Sequence, residues 1–288
     1  MVNIKEQDLK KLLPTEGPSF EEVKKYLDKY NDEYIVIKCG GSVLIDKNLF
    51  DNFISNISIL NKLGFIPIII HGGGKRISSE LELNGIKSKF INGLRVTDQN
   101  SIIVVEKVLN TFNEEITDAL EKKGCGSQSI TNRKKNIISV MQENINLGYV
   151  GMPTKINQSI IDEIVKDKKV PVIAPLGLDE NKNVFNINAD TAASAIAKKL
   201  NARRLIIMSD VEGVLDTNKK LMSEINTDKI NFLISNKTIT GGMIPKIKNC
   251  LDVASNGVKG VVIIDGRKNH SILFELLSEK GSGTLIRK

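Results

Sequence analysis

The sequence contains no tryptophan, two histidines and three cysteines in 288 residues. Cys39, Cys125 and Cys250 are isolated and odd in number, which argues against a disulfide scaffold and favours a reducing compartment. Zinc centres need clusters of cysteine and histidine, and neither residue occurs here at ligand spacing. The composition therefore predicts no metal site built by the protein alone.

Long hydrophobic runs are also missing. No apolar stretch approaches the length needed to span a membrane. Residues 1–16 alternate acidic and basic side chains without the apolar segment of a signal peptide. We therefore expect a soluble, cytoplasmic protein without a membrane partner.

The charge balance is positive, with 41 lysine and arginine residues against 34 acidic ones. Such an excess suits nucleic acids, acidic membranes or small anionic ligands. The lysines are dispersed, however, and aromatic residues make up only 5% of the chain, so bases would find few side chains to stack on. The sequence favours solvated helix faces for most of this charge and predicts no nucleic-acid partner.

The two commonest nucleotide-binding motifs are absent as well. The sequence has no G-x-x-x-x-G-K-[ST] and no G-x-G-x-x-G after a strand. This disfavours both a P-loop NTPase and a dinucleotide-dependent dehydrogenase.

Two other glycine-rich turns are present, each directly behind an apolar run: Lys38-Cys39-Gly40-Gly41 and His71-Gly72-Gly73-Gly74. Glycine lets backbone amides approach anionic oxygens, and a helix that begins at the same place adds its positive dipole end. Lys38 adds a mobile positive charge. Together the turns predict a phosphate-handling enzyme, in which His71 is either structural or a phosphate contact.

Apolar runs and helical patterns alternate along the chain, which predicts an α/β fold: a three-layer αβα sandwich around a mainly parallel open sheet. Strands are predicted at Tyr34–Lys38, Phe65–Ile70, Ile137–Val140, Val170–Ile173, Leu205–Met208 and Gly260–Ile264. Helices are predicted at Lys47–Leu63, Lys75–Asn84, Asp98–Lys122 and Thr191–Leu200. Hairpins are expected at Lys87–Val96 and, over the sheet edge, at Leu147–Ile156.

An N-terminal arm precedes the first strand. Apolar residues recur at helical spacing through residues 1–31, interrupted at Pro14–Pro18. The arm is either a cap packed on the domain or an element that forms an oligomer, and its apolar stripe does not decide between them.

Four polar clusters complete the pattern at the ends of predicted elements: Gly93–Thr97, Asn186–Asp190, Ser209–Val214 and Thr240–Lys246. With the two glycine turns they form six motifs in a fixed order. From about residue 32 to the C-terminus the chain resembles the amino acid kinase family, most closely the members that phosphorylate N-acetyl-L-glutamate. The resemblance implies a substrate lobe at 32–187 and a nucleotide-binding lobe at 188–288 that ends in a regulatory segment.

The resemblance also implies an activity: transfer of the γ-phosphoryl group of ATP to the γ-carboxylate of N-acetyl-L-glutamate, in arginine biosynthesis. Both reactants are anionic and the nucleophile is already ionised, so catalysis needs charge neutralisation and in-line positioning rather than a general base. By family position, Lys38 lies between the reactants, Lys246 stabilises the leaving side of ATP and Asp190 holds both ammonium groups. Asp190 could alternatively be a helix-start residue only, with Asn188 as the N-cap.

Binding residues follow from the same resemblance. The amino acid substrate is assigned to the backbone amides of Gly73 and Gly74, the guanidinium of Arg95 and the side chain of Asn186. ATP is expected in the C-terminal lobe, at Gly40, Gly41, Ser209, Asp210, Gly242, Met243 and Lys246. Mg²⁺ is expected to be held mainly by the nucleotide phosphates and water.

The C-terminal segment resembles the arginine-binding stretch of feedback-inhibited family members, which also carry an N-terminal helical arm and form hexamers. The resemblance implies L-arginine as an inhibitor bound at His270, Glu275, Gly281 and Gly283. It implies a homohexamer, with a dimer as the alternative, and is compatible with a partner protein of the nitrogen-signalling type. The alternative is a final helix with an exposed glutamate and a glycine C-cap.

Two segments depart from the family pattern: Cys39 with Ser42–Leu44, and Met152–Thr154. They leave open a kinase of another acylated or carrier-protein-bound amino dicarboxylate, of the aminoadipate type. A second alternative is a non-catalytic sensor of amino acids or nucleotides with the same fold. The presence of both Lys38 and Lys246 argues against the sensor.

Overall fold

The computed structural model describes residues 6–288, so the start of the predicted arm lies outside the described residues. Within this range the helices are α1 Glu6–Leu12, α2 Phe20–Tyr26, α3 Lys47–Lys62, α4 Gly74–Leu83, α5 Gln99–Lys122, α6 Gln158–Lys166, α7 Ala189–Lys199, α8 Thr227–Ser235, α9 Met243–Ser255 and α10 Ser271–Leu277. The strands are β1 Tyr34–Cys39, β2 Ile66–His71, β3 Phe90–Ile91, β4 Leu94–Arg95, β5 Ser127–Ile130, β6 Ile138–Gln142, β7 Gly151–Ile156, β8 Val170–Ile173, β9 Leu176–Leu178, β10 Val184–Asn186, β11 Arg204–Ser209, β12 Glu224–Ile225, β13 Val261–Asp265 and β14 Gly283–Ile286.

Eight strands form the central sheet, in the order β12-β14-β13-β11-β1-β2-β8-β5. The six strands from β13 to β5 are parallel to one another. β14 runs antiparallel to β13, and β12 runs parallel to β14. The prediction of a mainly parallel sheet is confirmed.

Both faces of this sheet are covered, as expected for strands with nearly continuous apolar runs. Val36 of β1 packs into one core with α6, α7, α8 and α9. The neighbouring residues Ile35 and Ile37 pack into a second core with α3, α5 and α10. These two cores confirm the predicted three-layer arrangement.

The arm adds to the second core. Leu9 of α1 and Val23 of α2 are buried there, and α2 contacts α10. Ser19 caps α2 in a capping box with Glu22. The helical prediction is confirmed for residues 6–31, which form a packed cap in the single chain; a role in an oligomer stays a prediction.

Several elements differ from the sequence-based expectation. The strand predicted at Ile137–Val140 forms as β6 but belongs to a second, four-stranded sheet with the order β10-β9-β6-β7. The segment Leu147–Ile156 is not itself a hairpin, because β7 supplies one arm and β6 the other. The helices α6 and α8 and the strands β5 and β14 were not predicted.

The elements that carry the candidate residues meet at one end of the central sheet. β1 has β2 on one side and β11, which comes much later in the chain, on the other. The strand order therefore reverses around β1, and the carboxyl ends of strands at such a point form the ligand crevice of open α/β sheets.

Candidate active site

Lys38 reaches Asp190 because of the two-residue period of β1. Lys38 shares a face with Val36, and that face packs against α7. Asp190 is the second residue of α7. Its carboxylate oxygen Oδ1 lies 3.0 Å from Lys38 Nζ.

Lys246 approaches the same carboxylate from the other side. It lies in the first turn of α9, where the missing N–H of Pro245 costs no helical hydrogen bond. Lys246 Nζ lies 3.1 Å from Asp190 Oδ2. The predicted N-cap of α7 is confirmed, because the Asn188 side chain accepts the N–H groups of Asp190 and Thr191 at 2.9 and 3.1 Å.

The three side chains form a compact charge cluster. Their exposed fractions are 13% for Lys38, 22% for Lys246 and 24% for Asp190. Burial works to raise the pKa of Asp190, but the two ammonium groups outweigh it and hold this pKa below its ordinary value. The cluster therefore contains two cations and one anion, and it keeps a net positive charge for an anionic reactant.

Asp210, which directly follows β11, holds the first glycine turn in place. Asp210 Oδ1 accepts the N–H of Ser42 at 3.0 Å, which links the ends of β1 and β11. Gly41 has φ +64°, and a Cβ there would lie 2.5 Å from the Asp210 carboxylate. Only glycine fits this position without strain. At Gly40 a Cβ would occupy the space taken by Lys38 Nζ.

The second glycine turn leads from β2 into α4. Gly72 N–H donates to Cys39 O at 2.7 Å, which ties the turn to β1. A Cβ on Gly73 would lie 2.7 Å from the Leu109 side chain, whereas one on Gly74 would meet nothing within 4 Å. The amides of Gly73 and Gly74 belong to the first turn of α4 and have no acceptor within the helix.

Arg95 of β4 is a buried cation without a carboxylate partner among residues 6–288. It donates to Gly74 O and Ser78 Oγ at 2.9 Å each, and to Ser88 Oγ. Its guanidinium carbon lies 4.7 Å from the centre of the Phe90 ring. Burial lowers the pKa of Arg95, but a guanidinium stays protonated. Neutral oxygens hold its planar fork in place for an anionic ligand.

A cavity of about 280 Å³ joins these groups. Of the predicted site residues it is lined by Lys38, Gly40, Gly41, Gly73, Gly74, Arg95, Asn186 and Asp190. The predicted nucleotide residues Ser209, Asp210, Gly242, Met243 and Lys246 do not line it. Lys246 and Asp210 adjoin it through their contacts with Asp190 and with the Gly41 turn.

Sequence reasoning missed the apolar part of this cavity. Phe90, Leu94, Val150 and Ile187 line it together with Ile77 and Leu109. Leu94 and Ile187 lie inside motifs that the sequence had already singled out, so their position next to Arg95 and Asn186 was the available signal.

The residues predicted to bind arginine divide into two groups. The Glu275 carboxylate accepts the N–H of Ser282 at 2.9 Å, and a Cβ on Gly281 would lie 2.9 Å from the same carboxylate. Glu275 is partly buried, and this burial raises its pKa against the lowering effect of the Ser282 N–H. By contrast, the His270 ring contacts Asn56 Oδ1 at 2.8 Å, and Gly283 pairs within the central sheet.

The part of the chain that the structure describes has no group of three or more histidine, cysteine, aspartate or glutamate side chains placed to hold a metal ion. Over the same residues, no helix combines the length and apolar character needed to cross a membrane. All three cysteines are free and buried.

Comparison with known proteins identifies relatives over the whole chain. The sequence profile of the amino acid kinase family matches residues 33–265. The acetylglutamate kinase of Pelagibacter ubique (strain HTCC1062) is 64% identical over 288 residues, which is 100% of both chains. The acetylglutamate kinase of Campylobacter fetus subsp. fetus (strain 82-40) is 44% identical over 264 residues, 91% of this chain and 94% of the relative.

A solved structure shares the fold. The N-acetylglutamate synthase from Neisseria gonorrhoeae, complexed with coenzyme A and N-acetyl-glutamate, matches with a TM-score of 0.84 at 21% identity. The match covers 93% of this chain and 62% of that chain, so this chain spans less than two thirds of the synthase. The profile match and the full-length relatives establish that the chain belongs to the amino acid kinase family.

Proposed function

We propose that this protein transfers the γ-phosphoryl group of ATP to the γ-carboxylate of N-acetyl-L-glutamate and forms N-acetyl-L-glutamyl 5-phosphate in arginine biosynthesis. The observation that carries the proposal is the Asp190 carboxylate, which binds both Lys38 and Lys246 beside a cavity lined by Arg95, a guanidinium with no carboxylate partner among residues 6–288. The full-length relatives named acetylglutamate kinase support the same activity.

The reaction joins two anions. A carboxylate oxygen of the substrate attacks the γ-phosphorus, the bond to the β–γ bridging oxygen breaks, and ADP leaves with that electron pair. Lys38 neutralises charge between the reactants, Lys246 neutralises charge on the leaving side, and Asp190 keeps both ammonium groups in position. One opposite charge at about 4 Å contributes roughly 4 kcal/mol at an effective dielectric near 20, which corresponds to about three decades in rate.

Recognition of the amino acid falls to the neighbouring groups. The planar fork of Arg95 binds the α-carboxylate of the substrate, which supplies a counter-charge that the described part of the chain does not provide. The amides of Gly73 and Gly74, at the positive end of α4, and the Asn186 side chain complete the contacts. These groups belong to the proposed substrate lobe, residues 32–187.

The nucleotide lies on the lobe formed by residues 188–288, together with the turn after β1. Its contacts are proposed at Gly40, Gly41, Ser209, Asp210, Gly242, Met243 and Lys246. Asp190 and Asp210 already bind protein donors, so the chain's carboxylates fit a Mg²⁺ ion brought by the phosphates rather than a resident one. Such an ion supplies further neutralisation of the phosphate charge.

Regulation by L-arginine is proposed at α10. The partly buried Glu275 carboxylate, beside Gly281, offers a site for a cationic side chain or an α-amino group. We further propose that the arm joins subunits into a homohexamer and that the enzyme works in the cytoplasm, where its free cysteines stay reduced.

The test is ATP-dependent formation of a hydroxamate, because hydroxylamine traps an acyl phosphate. Purified protein should form hydroxamate from N-acetyl-L-glutamate at a much higher kcat/KM than from N-acetyl-L-2-aminoadipate, and none without ATP. Equal or greater turnover of the aminoadipate derivative would transfer the proposal to that substrate. Absence of hydroxamate from either substrate would contradict the kinase activity.

A further inference from the structure

His71 is a buried group that the proposed mechanism does not use. It is the last residue of β2 and is fully buried against α5. Its ring lies edge-on to the ring of Phe112, with 5.2 Å between centroids. Its two nitrogens have separate partners: Nδ1 lies 3.0 Å from Gly72 O, and Nε2 lies 3.1 Å from Asn113 Nδ2.

The hydrogen bonds around Asn113 fix which nitrogen of His71 carries the proton. Asn113 Nδ2 also lies 3.0 Å from Val172 O, and a carbonyl oxygen only accepts, so this end of the amide must be the NH₂ group. The second hydrogen of that NH₂ donates to His71 Nε2, which is therefore unprotonated. Burial lowers the pKa of His71 to about 4, so the neutral ring carries its hydrogen on Nδ1 and donates to Gly72 O.

This donation acts on the second glycine turn. Gly72 O and Gly73 N–H belong to one planar trans peptide and point in opposite directions. The N–H of Gly72 is already bound to Cys39 O at 2.7 Å. Both polar backbone groups of Gly72 are therefore hydrogen-bonded. These bonds restrict this otherwise flexible glycine to one backbone conformation, and that conformation sets the direction of the Gly73 N–H.

We infer that His71 is a positioning residue, whose Nδ1–H holds the Gly72–Gly73 peptide so that the Gly73 amide is presented to the anionic substrate. The inference rests on the proposed function, because the Gly73 amide is one of its substrate contacts. His71 itself does not line the cavity, so its effect passes through the peptide rather than through contact with a reactant.

Two substitutions separate positioning from packing. His71→Asn keeps an N–H donor close to the position of Nδ1, whereas His71→Gln keeps a polar group close to Nε2 and loses the donor to Gly72. We expect kcat/KM for N-acetyl-L-glutamate to fall about 10-fold further in H71Q than in H71N, as for one lost hydrogen bond, while both variants unfold at similar temperatures. Equal losses in two folded variants would overturn the inference.

The wild-type protein offers a measurement that needs no variant at this position. Its two histidines give two imidazole spin systems in a ¹⁵N-histidine NMR spectrum, and His270→Asn assigns them. We expect His71 to be protonated on Nδ1 and unprotonated on Nε2 between pH 6 and pH 8; the opposite tautomer would overturn the inference. If the tautomer is as expected but wild-type protein forms no hydroxamate, the proposed function fails instead.

Discussion

The start of α7 and the helix α10 each hold a partly buried carboxylate, in opposite electrostatic settings. At α7, Asp190 lies 3.0 Å from Lys38 Nζ and 3.1 Å from Lys246 Nζ, and its pKa is held below the ordinary value. At α10, Glu275 accepts the backbone N–H of Ser282 and forms no ion pair within the described chain, and burial raises its pKa.

The negative charge of Asp190 is compensated by two lysines, and we call this cluster complete. The negative charge of Glu275 has no cationic partner within the described chain, and we call it an open charge. A complete cluster needs no reorganisation when reactants arrive, which is what electrostatic catalysis requires. A carboxylate withdrawn from water without a cation is unfavourable, and a cationic ligand that binds it removes that cost. Arg95 repeats the second case with the opposite sign. In this molecule the paired charges suit chemistry and the unpaired ones suit recognition.

The largest expected effect tests the complete cluster. Lys38→Ala or Lys246→Ala should lower kcat by on the order of two to three decades, because in the proposed mechanism each lysine supplies one cation that neutralises the transferring phosphoryl group. Hydroxamate kinetics measure the loss, and circular dichroism checks that the fold persists. Lys248→Ala, an exposed position on α9, is the matched control. Near-normal turnover in either cluster variant would contradict the assigned roles.

The next effect tests the open positive charge. Arg95→Lys should raise KM for N-acetyl-L-glutamate about 10-fold to 100-fold, since the three donors of an ammonium group lie on one nitrogen and lack the planar, spread arrangement with which the guanidinium binds Gly74 O, Ser78 and a carboxylate. KM for ATP should change little. Arg133→Lys, at an exposed ion pair, should leave both constants unchanged. Equal increases in the two KM values would count against substrate binding by Arg95.

The cluster around Asp190 was predicted through the resemblance to the amino acid kinase family, and local rules explain how its parts are placed. The period of β1 puts Lys38 on the face of Val36, and the cap at Asn188 fixes where α7 begins. β1 ends and α7 begins at the carboxyl edge of a parallel sheet, where ligands bind. These local patterns and one topological rule explain why residues that the family resemblance assigned to one site lie together.

The setting of Glu275 was not accessible in this way. The sequence left a final helix with an exposed glutamate as an alternative. In the structure the Glu275 carboxylate is partly buried where the chain returns at Ser282. Strand pairing has the same limit, because the pattern of a strand such as β6 identifies its faces but not its neighbour. β5, with the polar sequence Ser-Gln-Ser-Ile, does not have the apolar pattern of a strand.

The next prediction tests Glu275, the open negative charge, as part of the proposed L-arginine site. Glu275→Gln should raise the L-arginine concentration needed for half-inhibition at least about 10-fold, because the amide cannot compensate a cationic ligand. Activity measured across an arginine titration gives the shift, and Glu279→Gln, at an exposed position of the same segment, is the control. Wild-type activity that is unchanged at millimolar arginine would remove the regulatory proposal altogether.

The pH dependence of stability should differ in sign between the two carboxylates. Glu275 has a raised pKa in the folded state, so its contribution to stability is present below its ordinary value of 4.5 and is lost as the pH rises through the folded pKa. Glu275→Gln should therefore gain stability relative to wild type as the pH rises from 4 to 8.

Asp190 has a lowered pKa, so its contribution is present above its ordinary value of 3.8 and is lost as the pH falls through the folded pKa. Asp190→Asn should be less stable than wild type at pH 7, by roughly 3 kcal/mol at most because the site is partly exposed, and this gap should narrow in acid. Free energies of unfolding in urea at several pH values measure both trends. If the stabilities of both variants relative to wild type changed in the same direction with pH, the contrast between the complete cluster and the open charge would be wrong. Protonation should remove stabilising energy only from the carboxylate that is paired with cations.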